Sequence, residues 1–174
     1  MTPTLRRTFL TAIGIAIACG AAAMAQPAGS TLLGNFEAWE AYKGNDNGRG
    51  AVCYVVSQPQ PKEPATAKRD AVYFLITSWP GQKVTNEPSV IIGYAFKEHS
   101  EATVQVGSDK FQFFTKDDGA WLASREDEQK LITALRSASE LTVKGMSKRG
   151  TLTTDTYSLK GISAALDKAV EGCK

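Results

Sequence analysis

A mostly β, antiparallel, sandwich-like domain with two short helices, one of them C-terminal, is the fold that the sequence predicts. Three observations predict it. Short runs rich in Val, Ile, Leu, Tyr, Phe and Thr recur between clusters of Gly, Pro, Asn and Asp, the pattern of strands separated by turns. Two later segments instead repeat their apolar residues at helical spacing. Beyond the N-terminal segment, no stretch approaches the roughly 20 apolar residues that a membrane-spanning helix needs.

The chain opens with Arg6 and Arg7, runs through an apolar stretch from Phe9 to Ile17, and reaches small residues that end in Ala23-Met24-Ala25. Basic, apolar and small segments in that order predict a secretory signal peptide over residues 1–25. Residues 26–35 then read as a flexible leader, and residues 36–174 as a single β-rich domain. Arg6-Arg7-Thr8-Phe9-Leu10 also fits the core of a twin-arginine signal, although Leu5 stands where Ser or Thr is usual, so export of an unfolded or of a folded chain both stay open. Cys19 is a weaker lipidation candidate, because Ala16-Ile17-Ala18 lacks the usual leucine three residues before it. The expected location is the periplasm or cell surface. Removing residues 1–25 takes away two arginines and no acid, which leaves 18 basic against 18 acidic residues in a chain of 149. That length suits one domain burying roughly 68% of its unfolded surface. A net charge near zero gives no basis for sequence-independent nucleic-acid binding.

Along the chain, Gln26 to Leu33 looks like a loose leader, and Phe36 to Tyr42 supplies three large rings for an early strand or turn. Gly44-Asn45-Asp46-Asn47-Gly48 is a turn cluster whose spacing fails the calcium-loop pattern. Val52 to Ser57, Val72 to Ser78 and Ser89 to Phe96 are short apolar runs expected as central strands buried on both faces. Pro59, Pro61 and Pro64 make Gln58 to Arg69 an extended, solvated connection. Trp79-Pro80-Gly81 opens a loop expected to reach Pro88. Ala102 to Val106 and Phe111 to Thr115 alternate around Gly107-Ser108-Asp109, a hairpin with one wet face. Asp117-Asp118-Gly119 turns into Ala120 to Ala123; adjacent carboxylates at a turn tip are solvated and chemically ordinary.

Ser124 with Asp127 forms a capping box, and Leu131, Leu135 and Ala138 share a stripe, so a helix is expected over 125–137. Leu141 to Met146 and Thr151 to Tyr157 flank Ser147-Lys148-Arg149-Gly150 as a second hairpin, with the threonine hydroxyls expected toward water or one another. Ile162, Ala165, Leu166, Ala169 and Val170 mark the last helix, with Ser158 near its start and Gly172 at its cap.

After processing only Cys53 and Cys173 remain. An even count in an oxidising compartment favours a disulfide between them, two independent buried thiols being the other arrangement. No reactive constellation stands out. The single histidine, His99, sits among charged residues at an expected exposed turn, and no Gly-x-Ser-x-Gly elbow or Cys-x-x-Cys pair occurs. One histidine and two bridged cysteines do not supply a usual zinc ligand set. The expectation is therefore no enzyme, no catalytic or metal-binding residue and no cofactor. Trp79, Pro80 and Gly81 form the candidate binding loop, since Trp is enriched among interface hot spots; the competing role for Trp79 is a lid folded back on the domain.

Asn86-Glu87-Pro88-Ser89-Val90-Ile91-Ile92-Gly93-Tyr94, Ala120-Trp121-Leu122, Gly145 to Thr151 and, most specifically, Asp155-Thr156-Tyr157-Ser158-Leu159-Lys160-Gly161 with the terminal Cys173 resemble the invasion-associated locus B family over nearly the whole mature chain. The resemblance implies an exported, β-rich protein of Gram-negative bacteria from a family named for a role in host-cell entry. It carries over no catalytic residues. The functional expectation is a non-catalytic module that binds an envelope or host protein, with an envelope structural or stress role as the alternative and a hydrolase as the more distant one.

Overall fold

The computed structural model describes residues 29–174, so the expected signal peptide, Cys19 and the start at Gln26 lie outside the described residues. Eleven strands form one antiparallel sheet: β1 (Ser30–Phe36), β2 (Trp39–Asp46), β3 (Gly50–Ser57), β4 (Lys62–Glu63), β5 (Tyr73–Trp79), β6 (Val84–Ile91), β7 (Glu101–Val106), β8 (Asp109–Lys116), β9 (Gly119–Trp121), β10 (Glu140–Met146) and β11 (Leu152–Ser158). Helix α1 (Arg125–Ser137) precedes β10 and α2 (Ile162–Gly172) follows β11. The spatial order is β1-β2-β3-β5-β6-β9-β8-β7-β10-β11-β4. This is the mostly β, two-helix architecture that the patterning predicts.

The sheet folds over so that its first strands face its last. Trp39 of β2 donates its indole N–H to the Ser158 carbonyl at 2.9 Å. Phe74 of β5 meets Trp39 edge-on at 6.2 Å and Tyr157 of β11 at 5.8 Å. A connecting strap after β3 completes the wrap: β4 pairs Lys62 with Asp155 and Glu63 with Thr154, and Gln60 and Pro61 exchange backbone bonds with Thr156. Strands with one face inside alternate as expected, β7 and β8 most regularly, while β3 is buried on both faces from Val52 to Ser57.

The helices complete the core. Ser124 caps α1 by accepting from the Asp127 amide, and Leu131 and Leu135 are fully buried. Helix α2 packs on β1, β2 and β3 through Ile162, Ala165, Leu166 and Ala169. Its N-cap is Gly161 at φ 87°, and a Cβ there would collide with the Phe36 carbonyl, so only glycine fits this turn. At the other end Cys173 is bonded to Cys53 of β3, with Cα atoms 5.9 Å apart.

Several boundaries differ from expectation. The presumed leader already contains β1, a strand that pairs with β2 and packs Leu33 near Gly172. The Gly44–Gly48 turn is shorter, because β2 runs to Asp46. The run Ser89 to Phe96 does not form one strand: β6 ends at Ile91, and Phe96 makes only an isolated bridge to Ser147. The Trp79–Pro88 loop contracts to a 3-10 turn, Pro80–Gln82, with β6 starting at Val84. Pro88 is tolerated within β6 because β9 flanks only Ser89 to Ile91, leaving one side of the strand unpaired there. Val170 lies off the buried stripe and is 42% exposed. Ser158 ends β11 and leaves the start of α2 to Gly161.

Candidate functional site

The outward face of the sheet carries a row of residues in direct cross-strand register. Glu40, Val56, Leu75, Ser89, Trp121, Phe114 and Glu101 face one another successively across β2, β3, β5, β6, β9, β8 and β7. At a strand spacing of about 4.8 Å this row is roughly 29 Å long. Its middle is apolar apart from Ser89, and Glu40 and Glu101 flank it. Tyr73 and Ile91, also opposed, broaden the apolar band by one register step. Phe114 is 47% exposed and lies 5.9 Å from the Trp121 ring, which folds flat over Gly119 where a Cβ would obstruct it.

The candidate loop adjoins this band. Trp79, at the end of β5, is half-buried against a cluster of Tyr42, Val52, Tyr54 and Val56 on the same outward face. Tyr42 and Tyr54 stack at 5.2 Å. The Trp79 indole N–H donates to Asp46 at 3.1 Å, and the Arg49 guanidinium lies 4.8 Å from its ring centroid. Pro80 and Gly81 are exposed in the turn that follows. Trp79 is thus neither a free loop tip nor a fully buried lid; it is the braced margin of an aromatic face. Trp79→Ala is expected to cost about 1–2 kcal/mol, below the ~3–5 typical of a fully buried Trp. Chemical denaturation measures this directly.

The interior holds a polar layer that sequence reading missed. Asp155 is fully buried in β11, and Arg69, at the end of the strap, reaches it with both terminal nitrogens, one of them at 2.7 Å. Their side chains are 0% and 3% exposed. Two residues away Thr153, expected to face water or other threonines, is buried and hydrogen-bonded to the Tyr94 hydroxyl at 2.7 Å. The available signal was strand parity, since Thr153 and Asp155 share a face with Tyr157.

Burial raises the pKa of Tyr157 well above its ordinary 10, with the Asp155 charge adding to the effect. Burial likewise raises Tyr94 and Tyr54, and burial with the Glu40 hydrogen bond raises Tyr42. The unfolded chain therefore releases these protons first as pH rises. Their contribution to stability is constant below about pH 10 and declines above it, with a slope for Tyr157 alone approaching ~1.4 kcal/mol per pH unit. Tyrosinate absorbance should appear together with unfolding rather than at pH 10 for these residues. Progressive titration at pH 10 with the fold intact would contradict this burial.

The remaining residues singled out from sequence sit apart. His99 is exposed at a turn closed by the Ser100 amide on the Lys97 carbonyl. Asp117 and Asp118 serve the β8–β9 turn, their carbonyls accepting from the Phe96 and Ile92 amides. Among the described residues, no three His, Cys, Asp or Glu side chains converge as a metal site, and no helix is long and apolar enough to cross a membrane. In comparison with known proteins, the family model described as Invasion associated locus B (IalB) protein matches residues 39–170. No curated protein and no solved structure matches the chain.

Proposed function

The chain belongs to the Invasion associated locus B (IalB) family, and from that premise we propose that it is an exported, non-catalytic binding module acting through the outward aromatic face of its sheet. The observation that carries this reading is the apolar stretch of the cross-strand row, exposed Phe114 beside half-buried Trp121 and Leu75, with Trp79 braced at its margin. An open sheet face of this kind suits a protein surface better than a small molecule, which favours a concave pocket. The partner is an envelope or host protein, and the acids at both ends of the row, Glu40 and Glu101, favour one with a basic rim. The basic, apolar and small segments of residues 1–25 support export, with the mature chain starting at Gln26.

A photo-crosslinking residue at Phe114, introduced into intact cells, should give discrete protein adducts, whereas one at Glu171 on α2 should not. Phe114→Ser should abolish capture of the same partner while shifting Tm by no more than about 2 °C, as expected for an exposed site. Intact mass of the recovered protein should correspond to residues 26–174 without lipid. Equal adduct patterns at the two positions would remove the aromatic face from the proposal, and an uncleaved or acylated chain would remove the proposed processing.

A further inference from the structure

A second surface feature lies where the strap ends. Residues 67–70, 93–95 and 147–149 enclose a cleft of about 720 Å³, and an adjoining depression of about 410 Å³ shares Lys68, Tyr94, Ser147 and Arg149 with it. The three segments are fastened by backbone bonds. The Asp70 amide donates to Gly93 at 2.9 Å, the Lys148 amide to Ala95 at 2.8 Å, and the turn from Ser147 to Thr151 is closed at 2.9 Å. Such mutual fixing means that a ligand binds without first ordering the loops.

The charges are unbalanced. Lys68, Arg69, Lys148 and Arg149 line the two depressions against a single acid, Asp70. Asp155 accounts for Arg69. Lys148 lies 3.4 Å from Glu98, but both are largely exposed, and such pairs hold little. Lys68 and Arg149 face no acid within ion-pair distance among the described residues. The Arg149 guanidinium donates to the Lys68 carbonyl at 3.2 Å, which holds it beside the strap, and makes no other hydrogen bond among the described residues. Ser147 is 2% exposed yet lines both depressions; its hydroxyl accepts from the Thr151 amide at 3.0 Å and donates to no acceptor among the described residues.

We propose that this cleft binds a phosphate group, with Lys68 and Arg149 as its principal charged contacts, Lys148 at the rim and the Ser147 hydroxyl as a neutral donor. Several separate cations with an additional hydroxyl suit the tetrahedral array of accepting oxygens on a phosphate, whether a dianionic monoester or a monoanionic lipid diester, better than the two coplanar oxygens of a carboxylate. The phosphate comes either from an anionic lipid headgroup or from a free phosphate ester. The site is separate from the aromatic face, and its test leaves that face unchanged.

Amide chemical shifts of the mature protein would be followed during titration with inorganic phosphate, glycerol phosphate and glucuronate at matched ionic strength. Flotation with phosphatidylglycerol and with phosphatidylcholine vesicles would run in parallel. Phosphate and its ester should shift Lys68 to Asp70, Gly93 to Ala95 and Ser147 to Thr151, and glucuronate should bind more weakly. Lys68→Gln with Arg149→Gln should weaken binding about tenfold or more, consistent with loss of two charge-assisted contacts. Lys110→Gln with Lys160→Gln, which removes the same charge elsewhere, should leave it unchanged. Flotation with phosphatidylglycerol alone, competed by glycerol phosphate, identifies the headgroup as the source; ester binding without flotation identifies a free ester. The proposal fails if no localised shifts appear, if the control pair weakens binding equally, or if glucuronate binds as tightly as glycerol phosphate.

Discussion

Asp155→Ala is expected to lower stability by about 3–5 kcal/mol, because it leaves the Arg69 guanidinium buried without its counter-charge. Set against a typical domain stability of roughly 5–15 kcal/mol, this is enough to leave a large unfolded fraction near physiological temperature. Arg69→Met should cost a similar amount by stranding the carboxylate. The double variant Arg69→Met/Asp155→Leu should recover much of the loss, since an apolar pair of similar volume avoids the desolvation of both ions. Denaturant midpoints with an unchanged slope measure all three. A loss under about 1 kcal/mol for Asp155→Ala would mean that the pair is hydrated rather than buried.

Removing the disulfide should cost a comparable amount by a different route. Cys53 and Cys173 are 120 positions apart, and closing a loop of that length is worth about 4–5 kcal/mol in the chain-entropy model. Cys173→Ser, or reduction of the parent, should therefore shift the unfolding midpoint strongly while leaving the sheet intact at low temperature. Unfolding without reductant should expose no thiol to alkylation. Two reactive cysteines under those conditions would remove the bridge, and a change below about 1 kcal/mol on reduction would show that α2 stays docked through its apolar contacts alone.

Helix α1 was legible to the residue because its signals are local: a capping serine, an acidic first turn and two leucines four apart all lie within the segment they define. The β7–β8 hairpin was legible for the same reason, its alternation being set by one wet and one dry face. The pairing of Cys53 with Cys173 needed only a count and a compartment. Strand β1 was hidden, since Ser30 to Phe36 has little alternation and is held by β2 and by α2, which arrive later in the chain. Arg69 was hidden too. It closes a proline-rich segment that reads as solvated, and its partner is 86 positions away. Trp79 stands out in the sequence beside Pro80 and Gly81, but its support from Asp46 and Arg49 depends on how the β2–β3 hairpin folds beside it. The cross-strand row could not be read at all without register, because its members are single residues from seven strands.

The strap after β3 also governs when this fold becomes possible. Residues 60–63 complete the wrap only against Thr154 to Thr156, and Cys53 finds its partner only at Cys173. The N-terminal strands are therefore made long before anything exists to close around them. Loop-closure entropy must be overcome before those distant contacts give any return, so folding is slow relative to a helical domain of this size. During that interval β3 and β5, rich in Val, Ile, Phe and Tyr, are unprotected strand-forming segments prone to pairing with other chains. A chain emerging from its N-terminus would remain in this state until residues 154–173 appear, and its vulnerable lifetime is set by how soon they follow.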